Sequence, residues 1–127
     1  MVSNQGNILV VDDEEGIRSM ISKAVSPHGY RVLSAENVRE AFETITKEHI
    51  DLILLDLHMP GLYGHELLRF LRECGSDLPV IILSAYVEEM LADDLRKSVS
   101  AILKKPFSIH KLVDEIDKAL WDRGGKR

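Results

Sequence analysis

Five short runs of apolar residues recur along the 127-residue chain, and most are continuous rather than alternating with polar residues. A strand with one solvated face alternates, whereas a strand covered on both faces is apolar throughout. We therefore predict five buried β-strands, within the segments NILVV, YRVLSA, IDLILLD, PVIILSA and SAILKK.

The segments between these runs are amphipathic with the period of an α-helix. Asn37 and Ser108 stand where they can cap two of these helices, and Pro27 and Gly29 end the first. Strand and helix thus alternate five times, which predicts an α/β fold with a parallel sheet covered by helices on both faces. The stripes predicted to face the sheet are Ile17, Met20, Ile21, Ala24 and Val25; Val38, Ala41, Phe42 and Ile45; Leu67, Leu68 and Leu71; Met90, Leu91 and Leu95; and Leu112, Val113, Ile116 and Leu120.

Composition narrows the class of protein. The chain is 45% hydrophobic and carries 16 basic against 21 acidic residues, a net charge of -5. Its length fits one domain, residues 1–127, with a core at about 8–122 and frayed ends at 1–7 and 123–127. The acidic balance argues against direct binding of nucleic acid or an anionic membrane. No apolar run approaches the roughly 20 residues of a membrane span.

Two further features bear on the compartment. The lone cysteine, Cys74, can form no internal disulfide, so we expect a cytoplasmic protein in which Cys74 is a small apolar filler. The segment MVSNQGN lacks the basic and apolar regions of a secretory signal.

Polar residues stand at the carboxyl ends of four predicted strands: Asp12 and Asp13 after the first, Asp56 after the third, Ser84 after the fourth and Lys105 after the fifth. Each alone could be a helix cap, a turn residue or a solvated side chain. In an open parallel sheet, however, all five project into one crevice, the usual place of a ligand site. Their coincidence favours function over structure alone.

The charges of this group predict what it binds. Two carboxylates about 4 Å apart repel by roughly 4 kcal/mol at an effective dielectric constant of 20, so three in one crevice call for a cation. Hard oxygen ligands suit Mg²⁺. A turn as acidic as DDEE would repel the phosphate of a flavin or nucleotide, which argues against such a fold. One acid, Asp56, can then attack a phosphoryl group while Lys105 and Ser84 neutralise its oxygens.

Four motifs in this order resemble the receiver domain of bacterial response regulators from about Ile8 to Leu120: VVDDEE, LILLDLHMPGLYG, PVIILSAY and LKKPF. The resemblance implies a flavodoxin-like (βα)5 doubly wound sheet with strand order 2-1-3-4-5. It also implies a phosphorylation switch in two-component signalling and not an enzyme in the usual sense.

The resemblance assigns roles to particular residues. Asp56 corresponds to the phosphoacceptor, which receives its phosphoryl group from a sensor histidine kinase or a histidine phosphotransfer protein. Asp13 and Asp56 correspond to Mg²⁺ ligands, Asp12 to the partner of Asp13 at the metal, and the backbone carbonyl of His58 to the third protein ligand, with Mn²⁺ able to substitute for Mg²⁺. Ser84 and Lys105 would bind the phosphoryl oxygens. The peptide bond between Lys105 and Pro106 matches one that is cis in the family.

Three departures from the family pattern stand out. Ile102 occupies the position of the usual switch aromatic, so no rotating ring there can report phosphorylation. The segment SVSAIL lacks the usual Gly-Ala before the fifth strand. His58 and Tyr86 stand at positions that tune hydrolysis of the acyl phosphate in the family, and their bulk leads us to expect a long-lived phosphorylated form.

Alternatives remain open from the sequence. A phosphohydrolase of the haloacid dehalogenase kind also uses an aspartyl nucleophile, but DDEE is not its Asp-x-Asp motif. A degenerate receiver that serves only as a binding surface is the other rival. The output is unassigned: a separate target, an attached domain, or a homodimer formed on phosphorylation through the surface of the fourth and fifth helices. Trp121 is either a core cover or an exposed anchor.

Overall fold

A computed structural model describes residues 5–57, 64–85 and 93–124. The strands are β1 (Gly6–Val11), β2 (Tyr30–Ala35), β3 (Leu52–Asp56), β4 (Val80–Ser84) and β5 (Ala101–Lys104). The helices are α1 (Glu15–Val25), α2 (Val38–Lys47), α3 (Gly64–Glu73), α4 (Asp93–Arg96) and α5 (Ile109–Gly124), with a 3₁₀ turn at Ser26–His28. The strands form one parallel sheet in the order β2-β1-β3-β4-β5, so the predicted fold class and strand order are confirmed.

Alternate side chains of each central strand pack into two hydrophobic layers, because successive residues of a strand point to opposite faces. Leu9, Ile53 and Ile82 face one way, into a layer completed by residues of α2, α3 and α4. Ile8 and Ile81 face the other way, against residues of α1 and α5. Every residue of β3 and β4 is buried, which explains the continuous apolar runs. The helices therefore cover both faces, as a doubly wound sheet requires.

Both predicted helix caps are present. The side chain of Asn37 accepts a hydrogen bond from the backbone N–H of Glu40 at 2.8 Å, and the hydroxyl of Ser108 accepts one from Lys111 at 3.0 Å. The first helix ends as predicted, since Gly29 has a φ of 95°, a left-handed conformation that glycine adopts without strain. Asn37 and Ser108 thus mark the starts of α2 and α5, and Gly29 marks the end of the turn that follows α1.

Two predicted burials are wrong. Met20 is 41% exposed, because the buried side of α1 is centred between Ile21 and Val25 and Met20 lies about 120° around the helix from that centre. Cys74 is exposed rather than a core filler. It follows the last residue of α3 and precedes Gly75, whose φ of 84° is a left-handed conformation typical of the residue after a helix.

The fourth predicted helix is described only in part. Leu95 is buried among the residues of the α2–α4 layer, as its pattern predicted. Met90 and Leu91 lie outside the described residues. Of the helices within 5–57, 64–85 and 93–124, none has both the length and the apolar character that crossing a bilayer requires.

Candidate functional site

The register of the sheet brings the polar strand ends together. Val11 is paired with Leu55, and Asp56 with Leu83, so β1, β3 and β4 end at one edge of the sheet. Three polar or charged residues in the described part of the chain are classed as buried, and all three lie at this edge: Asp12, Asp56 and Ser84, at 0%, 3% and 0% exposure. Buried charge without a partner is costly. A core that serves stability alone would not gather it in one place.

Lys105 joins two of these acids. Its ammonium donates to Oδ2 of Asp12 at 3.1 Å and to Oδ2 of Asp56 at 3.3 Å. Burial by itself would lower the pKa of Lys105, but the charges of Asp56 and Asp12 and the hydrogen bonds to them raise it above its ordinary value. The adjacent Lys104 is exposed, so Lys105 is the lysine that enters the crevice.

The loop after β1 holds Asp12 from several directions. The carboxylate accepts the backbone N–H of Glu14 at 2.9 Å through Oδ1. The backbone N–H of Asp12 donates to the carbonyl of Ala35 at 3.1 Å. The guanidinium of Arg18 donates to the carbonyl oxygen of Asp12 at 2.7 Å. The hydrophobic and motif patterns did not identify Arg18; its basic charge near the start of a helix, beside four acids, was the available signal.

Asp12, Asp13 and Asp56 form a cluster that could hold a metal ion. One carboxylate oxygen from each lies within 4.8 Å of the others, and Asp13 is exposed while the other two are buried. Oxygen donors of this kind fit a hard divalent cation such as Mg²⁺. One lysine ammonium does not balance three carboxylates, so the crevice is negative and attracts a cation. The predicted third ligand, the carbonyl of His58, lies outside the described residues.

Ser84 and Lys105 stand together at the ends of β4 and β5. Ser84 is the fully buried last residue of β4, and its carbonyl accepts the backbone N–H of Lys105 at 3.1 Å. The peptide bond between Lys105 and Pro106 is cis. Ile102 is half-buried and packs against the layer that contains Leu95. Five of the predicted site residues lie in the described part of the chain. Asp12, Asp13, Asp56 and Lys105 are joined by the lysine contacts and the carboxylate cluster. Ser84 is joined to Lys105 by a backbone hydrogen bond.

Of the two remaining candidates, Tyr86 and Trp121, only Trp121 lies in the described part of the chain. Tyr86, like His58, lies outside the described residues. Trp121 is 47% exposed, so it is not a core cover.

Comparison with known proteins places the chain in a family. Residues 8–117 match the response regulator receiver domain. The chain belongs to this family, and receiver domains of this kind act in two-component signal transduction. The fold and recognition predictions are therefore confirmed.

Named relatives illustrate the range of the family. The chain is 35% identical to sporulation initiation phosphotransferase F of Bacillus subtilis over 89% of its own length and 92% of that protein. It is 42% identical to the phosphate regulon transcriptional regulatory protein PhoB of Pseudomonas aeruginosa over 93% of its length but only 52% of PhoB. The chain therefore spans nearly all of one relative and about half of the other.

Solved structures give the same result. The receiver domain of Francisella response regulator 1452 is similar with a TM-score of 0.84 and 33% identity, covering 94% of this chain and 99% of that one. The response regulator protein TrrA from Thermotoga maritima, in complex with Mg²⁺ and BeF, is similar with a TM-score of 0.82 and 32% identity, covering 91% of this chain and 100% of that one.

Proposed function

We propose that this chain is a phosphorylation switch in which Asp56 accepts a phosphoryl group from a histidine kinase or a histidine phosphotransfer protein. The observation that carries the proposal is the environment of Asp56. Asp56 is 3% exposed, belongs to a cluster of three acids and contacts the Lys105 ammonium at 3.3 Å. That arrangement matches the needs of phosphoryl transfer, which depends mainly on positioning and on neutralising charge.

The proposed transfer is a displacement at phosphorus. A carboxylate oxygen of Asp56 bonds to phosphorus, the bond from phosphorus to the imidazole nitrogen of the donor breaks, and its electron pair stays on the imidazole. Mg²⁺ held by Asp12, Asp13 and Asp56, with the carbonyl of His58, would supply positive charge next to the transferred group. Mn²⁺ offers similar coordination chemistry and would substitute. The TrrA complex with Mg²⁺ and BeF supports this choice of cation by analogy.

Lys105 and Ser84 then respond to the new charge. In the acyl phosphate, the single charge of the Asp56 carboxylate is replaced by about 1.5 to 2 negative charges on the phosphoryl group, a stronger attraction for the ammonium than either carboxylate offers. Lys105 directly follows β5, and Ser84 is the last residue of β4, in the part of the chain that precedes α4. Their shift toward the phosphoryl oxygens would therefore alter the surface of α4, β5 and α5. Ile102 would follow by repacking, since its side chain has no aromatic ring to rotate.

The partners follow from the same proposal. A phosphorelay role is supported by similarity to sporulation initiation phosphotransferase F, and control of an attached domain by similarity to PhoB. A homodimer formed on phosphorylation is a further output. We place the switch in the cytoplasm and in one domain, residues 1–127. The long-lived phosphorylated form remains a prediction for His58 and Tyr86, whose replacement by alanine should speed loss of the label.

The test is incorporation of phosphate from labelled acetyl phosphate. We expect the wild type to be labelled in Mg²⁺ and not in excess chelator, and Asp56→Asn to fall to background. Asp51→Asn is the matched control, because Asp51 lies just before the same strand and outside the crevice. Asp13→Asn should raise the Mg²⁺ concentration for half-maximal labelling about tenfold or more, since even a partner of a metal ligand carries that cost.

Three results would overturn the proposal. One is a wild type that takes no label, as a degenerate receiver would. Another is labelling of Asp56→Asn at the native level. The third is sustained turnover of phosphomonoesters, which would favour the phosphohydrolase. Size-exclusion chromatography with and without beryllofluoride then reports whether the switched state assembles into a dimer.

A further inference from the structure

The backbone of Asp12 is bound by a side chain that the proposed reaction does not use. Arg18 donates from Nη1 to the carbonyl oxygen of Asp12 at 2.7 Å. This carbonyl belongs to the peptide unit that joins Asp12 to Asp13. Because a peptide unit is planar, the direction of its carbonyl also fixes the direction in which the chain enters Asp13.

The position of Arg18 is poorly explained by the stability of α1. It is the fourth residue of the helix, near the positive end of the helix dipole, where a basic side chain is unfavourable. The N-cap residue Glu14 makes no capping bond with its side chain. Its backbone N–H is instead bound by the carboxylate of Asp12 at 2.9 Å. Arg18 and Asp12 together therefore define how the acidic loop joins the helix.

Each polar group of Asp12 has a partner. Its N–H bonds to Ala35 and its carbonyl to Arg18. The two carboxylate oxygens bond to the N–H of Glu14 and to the ammonium of Lys105. Of these four contacts, the one to Lys105 is the contact that a phosphoryl group would compete for. The other three hold Asp12 in place while that competition occurs.

We propose that Arg18 is a positioning residue for the cation, acting through the Asp12 carbonyl to hold the exposed carboxylate of Asp13 in the crevice. This inference rests on the proposed function, since it concerns the cation that serves Asp56. It assigns Arg18 a role in the geometry of the site and no contact with the cation or the phosphoryl group.

Charge and geometry predict opposite effects of removing Arg18. If its positive charge dominated, its loss would make the acidic loop more negative and tighten cation binding. If the hydrogen bond dominates, its loss frees the peptide unit before Asp13 and weakens binding. Preorganised ligand geometry matters greatly for Mg²⁺, which demands a near-ideal octahedral arrangement. The geometric effect is therefore the one we expect to be larger.

The experiment compares three variants of the full chain by Mg²⁺ titration and by amide hydrogen exchange in chelator. Arg18→Met keeps most of the side-chain length but loses the donors, and Arg18→Lys keeps the charge and a donor. Arg39→Met is the charge-matched control, because Arg39 is an exposed arginine near the start of α2 and no hydrogen bond joins it to Asp12. Phosphate incorporation at saturating Mg²⁺ is measured in parallel.

We expect Arg18→Met to weaken Mg²⁺ binding about tenfold, the scale of losing a partner of a metal ligand. Arg18→Lys should recover much of that loss, and Arg39→Met should stay close to the wild type. In chelator, the N–H groups of Asp13 and Glu14 should exchange faster in Arg18→Met while those of β3 are unchanged. Saturating Mg²⁺ should restore labelling, because Arg18 is not part of the reacting group.

The outcomes separate this inference from the proposed function. Mg²⁺ binding in Arg18→Met that equals or exceeds the wild type overturns the role of Arg18 and leaves the switch intact. Exchange that accelerates throughout β3 as well shows a general loss of stability and also overturns it. A wild type that binds no Mg²⁺ overturns the proposed function, and the cation role of Arg18 with it.

Discussion

Two aspartates five positions apart, at opposite ends of β3, have contrasting surroundings. Asp51, just before the strand, accepts the backbone N–H of Asn7 at 2.7 Å and contacts Nε2 of His49 at 2.8 Å. Asp56, the last residue of the strand, shares the ammonium of Lys105 with the carboxylate of Asp12. Asp51 thus contacts a backbone N–H and a histidine ring, whereas Asp56 contacts an ammonium that a second carboxylate also contacts. The same residue type thus ties β1 to the start of β3 at one end of the strand and belongs to a carboxylate cluster at the other.

The network around Asp51 also fixes the register of the sheet. Its backbone N–H donates to the carbonyl of Asn7 at 2.9 Å, and the side-chain amide of Asn7 donates to the carbonyl of His49 at 2.6 Å. These bonds tie β1 to the turn before β3. At the other end of the two strands, Asp12 accepts the backbone N–H of Glu14, and the carboxylates of Asp12 and Asp56 share the ammonium of Lys105. Substitutions at the two ends should therefore differ in size and in sign.

The largest effect is expected for Lys105→Met. Removing one partner of a buried ion pair typically costs about 3 to 5 kcal/mol, and we expect about 3 kcal/mol because Lys105 remains partly exposed. The loss should be measured as the free energy of urea unfolding in chelator, and Mg²⁺ should recover part of it by replacing the missing positive charge. Lys104→Met is the control and should change stability by less than about 0.5 kcal/mol. Equal effects of the two substitutions would contradict the shared-lysine arrangement.

Replacing each aspartate of β3 by asparagine should give effects of opposite sign. Asp51→Asn weakens hydrogen bonds made by a charged acceptor and should lower the free energy of unfolding by about 1 kcal/mol. Asp56→Asn removes one of three clustered carboxylates and should raise it by about 1 kcal/mol in chelator, since the repulsion relieved exceeds the attraction to Lys105 that is lost. Chemical denaturation of both variants measures the difference. Destabilisation by both would mean that Asp56 is held as firmly as Asp51.

The smallest effect is a dependence of stability on alkaline pH. Asp56 and Asp12 raise the pKa of Lys105 in the folded protein above its ordinary value of 10.5. The folded state therefore holds this proton more tightly than the unfolded state. The resulting stability is fully present below the ordinary pKa and is lost as pH rises through the raised value. Between about pH 9 and about pH 11.5, the free energy of unfolding should fall less steeply with pH for Lys105→Met than for Lys104→Met. Equal slopes would contradict the raised pKa of Lys105.

Much of the site could be predicted because parallel strands end at a common edge. Asp12, Asp56 and Ser84 each follow an apolar run, and once the runs are strands of one sheet their ends must meet. Asn37 and Ser108 were predictable for a similar reason, since a cap depends on residues three positions away. The strand order came from the resemblance to receiver domains and not from periodicity.

Features that depend on side-chain direction could not be predicted in this way. The pattern could place Lys105 at the crevice but not show that it contacts two carboxylates at once. Arg18 was missed because hydrophobic periodicity carries no information on which backbone carbonyl a long polar side chain reaches. Met20 was assigned to the wrong side because a helical stripe indicates a broad face and the position of its centre is set by the packing partner.

The position of β5 has a consequence for how long Asp12 and Asp56 stay paired with Lys105. This strand has four residues and lies at the edge of the sheet, beside β4 alone. Elements with few neighbours open locally at a lower free energy than the whole domain unfolds. Detachment of this edge would carry Lys105 away from both carboxylates while β1 and β3 remained folded. Fraying at this border of the sheet would therefore limit how long Lys105 stays paired with Asp12 and Asp56, and in the proposed switch such a change would be confined to one edge of the domain.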